Sequence, residues 1–158
     1  MTVSVRPADP ADAPLIHSFI RDLAEYEKLL HEMEATIADI ERDLFGPAPR
    51  AFCDIAEADG EPVGFALWFY SYSTFLGRHG IYLEDLFVKP QARGAGAGKA
   101  LLRGLARRCA EEGLGRLEWS VLDWNAPSIA FYDSLGAGAQ TEWTTRRLDG
   151  DALARLAA

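Results

Sequence analysis

The sequence has few of the features that mark membrane or nucleic-acid-binding proteins. The longest apolar-looking run, Pro62–Phe69, has eight residues and includes Gly64, whereas a helix needs ~20 apolar residues to span a bilayer. Only 16 Lys and Arg stand against 24 Asp and Glu, so the chain lacks the basic excess that binding to phosphate backbones requires. We therefore expect neither a membrane nor a nucleic-acid partner.

Cysteine and histidine are scarce as well. Cys53 and Cys109 lie far apart and belong to no C-x-x-C, which predicts two buried free thiols in a reducing compartment. The three histidines have no metal-ligand spacing, so no metal site is predicted. Residues 1–6 contain no apolar signal core, which favours the cytoplasm as the location.

Apolar and aromatic residues are abundant enough for one folded core. The 158 residues are 49% hydrophobic and include 8 Phe, 5 Tyr and 4 Trp, which excludes a disordered chain. No linker or repeat divides the chain, so residues 1–158 are predicted to form a single domain. The net charge of −8 favours a cationic small substrate.

Hydrophobic periodicity and turn residues predict an α/β domain. Strands are expected at 2–6, 51–58, 62–73, 80–88, 116–122 and 140–148, with a tight turn at Asp59-Gly60. Helices are expected from Asp9 or Asp12 onward, then at 36–45, 98–112 and 127–135, with a short helical tail at 151–156. The first helix should bury Leu15, Phe19, Leu23, Tyr26 and Leu30. This order predicts three layers, with a mixed central sheet flanked by helices.

The strongest local feature is a glycine-rich stretch between a strand and a helix. Alternate glycines let the backbone turn and direct several N–H groups to one point, and the positive end of the following helix completes a phosphate-binding site. Arg93 and Lys99 supply counter-charge. The Walker pattern fails because position 93 is Arg, and the dinucleotide fingerprint fails because position 99 is Lys. The predicted site comprises Arg93, Gly94, Ala95, Gly96, Ala97, Gly98 and Lys99.

The spacing Arg-x-x-Gly-x-Gly in this stretch resembles the pyrophosphate loop of the Gcn5-related N-acetyltransferase (GNAT) family. The segments 23–27, 82–88 and 124–132 extend the resemblance over nearly the whole chain, and they look like the diamine (spermidine/spermine-type) acetyltransferase branch. The resemblance implies acetyl-coenzyme A as co-substrate, a small-molecule amine as acceptor and a homodimer.

Two adjacent acids, Glu84 and Asp85, interrupt an otherwise apolar strand. Successive residues of a strand point to opposite faces, so one acid is expected on each side of the sheet. The resemblance implies that Glu84 lies in the acceptor site. It also implies that the backbone of Leu86, Phe87 and Val88 pairs with the pantetheine arm of the coenzyme.

The segment from Asn125 to Tyr132 carries the second group of predicted site residues. Asn125 is placed to cap a helix with Pro127 in its first turn, a role compatible with a coenzyme contact. Spacing alone makes Tyr132 a core residue more often than a catalyst, whereas the resemblance implies that it is the general acid. The implied coenzyme contacts here are Asn125, Ala126, Pro127, Ser128 and Tyr132.

The acceptor pocket is implied by matches to the diamine branch. Ser73 occupies a position where those enzymes tend to carry Asp, and this favours a shorter amine or an amino acid with a terminal amine as an alternative to a long polyamine. The implied acceptor-binding residues are Tyr26, Glu27, Glu84, Glu118, Trp119 and Ser120.

The implied reaction is direct acyl transfer in a ternary complex. Glu84 would accept a proton from the ammonium through a water molecule, and Tyr132 would protonate the leaving sulfur. Two alternatives remain open at this stage. One is a non-catalytic module that binds or senses acyl-coenzyme A, and the other is an acetyltransferase for protein lysines or N-termini.

Overall fold

The computed structural model describes the whole chain, Met1–Ala158, in two compact parts, Met1–Ser120 and Val121–Ala158. The first part contains five strands: β1 (Val3–Pro7), β2 (Phe52–Ala58), β3 (Glu61–Ser73), β4 (Arg78–Val88) and β5 (Leu117–Trp119). It also contains three α-helices: α1 (Ala13–Tyr26), α2 (Ile37–Phe45) and α3 (Ala97–Glu112).

The strands form one mixed sheet in the order β1-β2-β3-β4-β5. The pairs from β1 to β4 are antiparallel, and β5 pairs with β4 in parallel. Asp59 and Gly60 both have positive φ, at 52° and 84°, the conformation that a tight β-hairpin turn requires. The mixed sheet and the turn at Asp59-Gly60 agree with the sequence prediction.

The helices of the first part cover both faces of the sheet. Phe65 of β3 stacks on Phe19 of α1 with ring centroids 5.4 Å apart. Trp68, three residues further and thus on the opposite face, lies under the Arg108 guanidinium of α3 at 4.9 Å. The three-layer α/β architecture is therefore confirmed.

Helix α1 begins and ends where local capping groups dictate. A 3₁₀ turn at Pro10–Asp12, capped by Asp9 in a capping box, leads directly into it. The helix ends at Tyr26 and Lys28 adopts a φ of 62°, so Leu30 lies outside the helix, in a second 3₁₀ turn. The prediction of Leu15 and Leu30 as core positions is therefore wrong. The buried residues of the helix are Ala13, Ile16, Phe19 and Leu23.

The second part contains α4 (Ala126–Ser134) and α5 (Gly150–Ala157). The strand predicted at 140–148 does not form, and Trp143 in this segment is 79% exposed. Its Thr and Trp residues have high β-propensity, but a strand is stable only when it is paired and packed. The prediction for 116–122 was too long for the same reason, since pairing stops at Trp119.

Both cysteines are free thiols, as predicted. Cys53 is buried beneath α1, whereas Cys109 is only half-buried, so its prediction as a buried residue is only partly correct. None of the helices has the length and apolarity that a membrane crossing demands. No group of three or more His, Cys, Asp or Glu side chains is arranged to hold a metal ion.

Candidate active site

The glycine-rich stretch forms an open loop that ends at the start of α3. Gly94 and Gly96 have φ values of 86° and 89°, which side chains other than glycine rarely allow. A Cβ atom at either position would meet no atom within 4 Å, so the space over the loop is open. No side chain caps the first turn of α3, and its leading N–H groups are available to an anion.

Strand β4 changes its pairing just before this loop. The register with β3 passes from Trp68↔Leu83 to Leu67↔Asp85 and skips Glu84, so Glu84 lies in a β-bulge and its side chain is exposed. On the other side, β5 pairs only with Ile81–Leu83. Residues 84–88 therefore have no strand partner on the β5 side, and their backbone is free to pair with an extended ligand.

The bulge interrupts the alternation that predicted opposite faces for Glu84 and Asp85. The Glu84 carboxylate raises the pKa of both Asp85 and Glu27, the residue that follows α1. Burial is the larger cause in both cases, and the pKa of Asp85 reaches about 7. Three carboxylates from α1 and β4 thus lie near one another, two of them predicted for the acceptor site and one of them, Asp85, not assigned to it.

A cavity of about 290 Å³ lies between the end of α1 and the segment 29–35. Its apolar wall includes Ile20, Leu23, Leu29 and Met33, and its acidic residues are Glu27, Glu32, Glu34 and Asp85. Neither Lys nor Arg is among the residues that line it. An acidic cavity with an apolar wall is complementary to an alkylammonium group. The sequence signals were the acids of the α1–α2 connection, which the sequence analysis did not use.

The two basic residues of the loop differ in their contacts. The Arg93 Nε donates a hydrogen bond to the Val88 carbonyl at 3.0 Å. Its guanidinium lies 5.0 Å from the ring centroid of Tyr26 and 5.8 Å from that of Phe87. Lys99 is exposed in the first turn of α3. The structure therefore brings Arg93 together with Tyr26, another predicted site residue.

The predicted residues of β5 form contacts of their own. Glu118 makes an ion pair with Arg116 at 3.3 Å. The Ser120 hydroxyl lies 2.8 Å from the hydroxyl of Tyr82, a β4 residue that the sequence analysis did not assign. Trp119 is half-buried at the last paired position of the strand.

In the second part of the chain, Asn125 caps α4 as predicted. Its side-chain oxygen accepts a hydrogen bond from the Ser128 N–H at 3.3 Å, and Pro127 lies in the first turn. Tyr132 is half-buried near the end of this helix, with its ring 5.6 Å from that of Phe131. Its carbonyl accepts hydrogen bonds from the N–H groups of residues 135 and 137.

Comparisons with known proteins agree with these features. The sequence model of the acetyltransferase (GNAT) family matches residues 16–137. A thialysine N-epsilon-acetyltransferase from Bos taurus is 40% identical, with 98% of this chain and 97% of that protein covered. A human spermidine/spermine N(1)-acetyltransferase-like protein 1 is 32% identical over 97% of this chain, which corresponds to 23% of that protein.

A solved structure shares the fold. It is an integron cassette protein from the mobile metagenome of V. cholerae, with a TM-score of 0.81 and 26% identity, covering 99% of this chain and 98% of that one. The family match across both compact parts, together with relatives of this identity over nearly the full length, decides the assignment. The chain belongs to the acetyltransferase (GNAT) family and is an N-acetyltransferase.

Proposed function

We propose that this enzyme transfers an acetyl group from acetyl-coenzyme A to a primary amine of a small molecule. The observation that carries the proposal is the course of β4. The strand loses its β5 partner after Leu83, bears a carboxylate at the bulge of Glu84, and leads within a few residues into the open glycine loop. Donor binding and acceptor binding are thus both supported by one strand.

For the donor, we assign the diphosphate to the backbone of the loop from Arg93 to Lys99. Open left-handed glycines and the uncapped start of a 16-residue helix suit a polyanion. The backbone of Leu86–Val88 is assigned to the pantetheine arm, which would pair like an added strand. A backbone N–H of this segment would also polarise the thioester carbonyl. Further contacts are proposed from Asn125, Ala126, Pro127, Ser128 and Tyr132.

For the acceptor, we propose a site at the acids around β4. Glu27, Glu84 and Asp85 supply the negative charge that an alkylammonium group requires. Tyr26, Glu118, Trp119 and Ser120 complete the proposed acceptor site. Both a diamine or polyamine and an amino acid with a terminal amine fit this class, and the names of the two curated relatives include one of each kind.

The proposed chemistry needs two proton transfers. An alkylammonium with a pKa of ~10.4 must lose its proton before it can attack, and Glu84 accepts that proton through a water molecule. The amine nitrogen then bonds to the thioester carbon, and the carbon–sulfur bond breaks. Tyr132 donates its hydroxyl proton to the departing thiolate. No thiol of the protein takes part, because burial raises the pKa of Cys53 and keeps it protonated.

We also propose that residues 1–158 act as one acetyltransferase domain, in the cytoplasm, as a homodimer. The family match runs from residue 16 to 137 and so crosses the boundary between the two compact parts. Free thiols suit a reducing compartment. The net charge of −8 disfavours a nucleic-acid partner.

The test is thiol release from acetyl-coenzyme A in the presence of an amine panel. Thialysine, ornithine, putrescine, spermidine and a lysine-containing peptide cover the classes under consideration. We expect release that depends on a small amine, with the acetylated amine found by mass spectrometry. Coenzyme binding with no release for any amine would favour a sensing module, and release with the peptide alone would favour a protein acetyltransferase.

The role of Tyr132 is tested with Tyr132→Phe, which removes only the hydroxyl. We expect turnover to fall by roughly 10²–10⁴, the range for one acid–base group, with coenzyme A affinity almost unchanged. Tyr72→Phe is the matched control, because Tyr72 is 57% exposed near the tip of the β3–β4 hairpin. Equal turnover in Tyr132→Phe and wild type would remove Tyr132 from the mechanism.

A further inference from the structure

Arg93 joins the start of the coenzyme loop to the end of the helix that leads to the acceptor site. Its guanidinium lies over Tyr26, the last residue of α1, at 5.0 Å from the ring centroid. The Nε–H of the same group is held by the Val88 carbonyl at 3.0 Å. A planar cation that both stacks and donates a hydrogen bond has a defined orientation.

A second cation of the same segment makes a parallel contact. The Lys89 Nζ lies 5.7 Å from the ring centroid of Phe19, two turns earlier on α1. The segment after β4 thus contacts α1 through two aromatic rings. Phe19 is fully buried in the core, whereas Tyr26 is only half-buried. The Arg93 contact is therefore the one that acts at the end of the helix.

The end of α1 needs such a contact because of the charges that surround it. Glu27 follows Tyr26 directly and lines the acidic cavity with Asp85. Glu84 acts on both carboxyl groups. Like charges repel, and partial burial strengthens the repulsion, which favours movement of Glu27 away from β4. A cation that holds the adjacent Tyr26 ring opposes this movement.

We propose that Arg93 is a positioning residue for the amine substrate. By holding Tyr26 against the segment that follows β4, it keeps Glu27 beside Glu84 and Asp85 in the geometry that binds the ammonium group. This inference rests on the proposed function and assigns the Arg93 side chain a role beyond counter-charge for the coenzyme diphosphate.

The two roles predict different kinetic effects. A counter-charge acts on the affinity for coenzyme A and is largely preserved by Arg93→Lys. A positioning contact acts on the KM of the amine, and Arg93→Lys preserves it only in part, because an ammonium cannot reproduce the planar stack and the Nε–H bond together. Arg93→Met removes the charge and keeps an apolar stem of similar length.

The experiment compares Arg93→Met, Arg93→Lys, Tyr26→Leu and Tyr26→Phe with wild type, using the panel amine that wild type acetylates fastest. For Arg93→Met and Tyr26→Leu we expect the amine KM to rise about tenfold, as for the loss of one stacked, hydrogen-bonded cation. Coenzyme A affinity, measured by calorimetry, should change less than the amine KM. Tyr26→Phe keeps the ring and should leave the amine KM unchanged.

Two further variants separate positioning from other effects. The double variant Arg93→Met/Tyr26→Leu should raise the amine KM no more than either single variant, since both remove the same contact. Lys99→Met, which changes the other cation of the loop, should show the opposite pattern, with weaker coenzyme binding and an unchanged amine KM. Thermal unfolding of every variant identifies any general loss of stability.

An amine KM equal to wild type in Arg93→Met, with weaker coenzyme binding, would overturn the inference and leave Arg93 as a counter-charge. Additive effects of the two single variants would overturn it as well. Both results presuppose turnover by wild type and leave the proposed function intact. Absence of turnover by wild type with every amine would instead contradict the proposed function.

Discussion

Asp85 combines partial burial with two like-charged neighbours, Glu84 and Glu27, and its pKa rises from 3.8 to about 7. The folded chain therefore holds a proton here that the unfolded chain has already released. A carboxyl group of this kind contributes stability at low pH, and that contribution is lost as the pH rises from about 4 to about 7. The effect belongs to this side chain and its immediate surroundings.

Asp85→Asn should abolish that loss, because the amide stays neutral. We expect the variant to gain stability over wild type between pH 5 and pH 8, on the order of 1–2 kcal/mol or a few degrees in Tm. Thermal unfolding at the two pH values measures the difference. Glu61→Gln, at the exposed start of β3, is the control and should show no such gain. A pH-independent offset between wild type and Asp85→Asn would contradict the raised pKa.

Glu84 and Asp85 are adjacent carboxylates, and the proposed mechanism makes only Glu84 the base. Glu84→Gln should lower turnover at neutral pH by roughly 10²–10⁴. Its rate profile should move to higher pH, because the amine must then lose its proton to solvent. Asp85→Asn should leave the position of the profile closer to that of wild type. A profile that moves with Asp85→Asn and not with Glu84→Gln would exchange the two roles.

Residue-scale prediction from sequence succeeded where the cause is local. The positive φ of Gly94 and the capping of α4 by Asn125 both follow from a few neighbouring residues. The stacking of Arg93 on Tyr26 joins residues far apart in the chain, and no local pattern encodes it. The cavity beside Glu27 has the same origin, since it forms only when α1 and β4 meet.

Among the elements, the connection from β4 to α3 carries the proposed donor site. Gly96 precedes the helix with a φ of 89°, so any side chain at this position strains the turn that directs the N–H groups outward. Gly96→Val should reduce coenzyme A affinity to an undetectable level, and calorimetry measures this directly. The open space around Gly96 means that the effect arises from the backbone and from obstruction of the ligand.

Gly104 offers a matched control within the same helix. It lies in the interior of α3, and a Cβ atom there would also meet no atom within 4 Å. Gly104→Ala should stabilise the protein by ~0.5–1 kcal/mol through helix propensity and leave coenzyme binding unchanged. Wild-type coenzyme affinity in Gly96→Val would contradict the proposed loop site, and equal losses in both variants would point to a general effect on α3.

Strands were predicted less accurately than helices for a physical reason. Helix ends are marked by caps such as Thr36 and Gly113, whereas a strand depends on a partner that is distant in sequence. β5 ends at Trp119 because its pairing with β4 stops there. The same loss of pairing leaves residues 84–88 with an open edge, which no inspection of those residues alone reveals.

At the scale of the whole molecule, the dominant property is the surplus of negative charge. The net charge is −8 and the sequence pI is about 4.8. Exposed acids such as Glu32 and Glu34 at the cavity add to this field locally. A negative field raises the local concentration of cations, and salt screens it as the Debye length shortens from ~30 Å at 0.01 M to ~8 Å at 0.15 M.

The kcat/KM for a cationic amine should therefore fall as salt is added, and more steeply for an amine of higher charge. We expect a several-fold decrease for spermidine between about 0.01 and 0.15 M NaCl and a smaller one for thialysine, whose carboxylate lowers its net charge. Initial rates at subsaturating amine and saturating acetyl-coenzyme A measure the two slopes. The double variant Glu32→Gln/Glu34→Gln should reduce the slope for spermidine. Equal slopes for both amines would contradict electrostatic attraction by the molecule as a whole and would restrict amine recognition to contacts within the acceptor site.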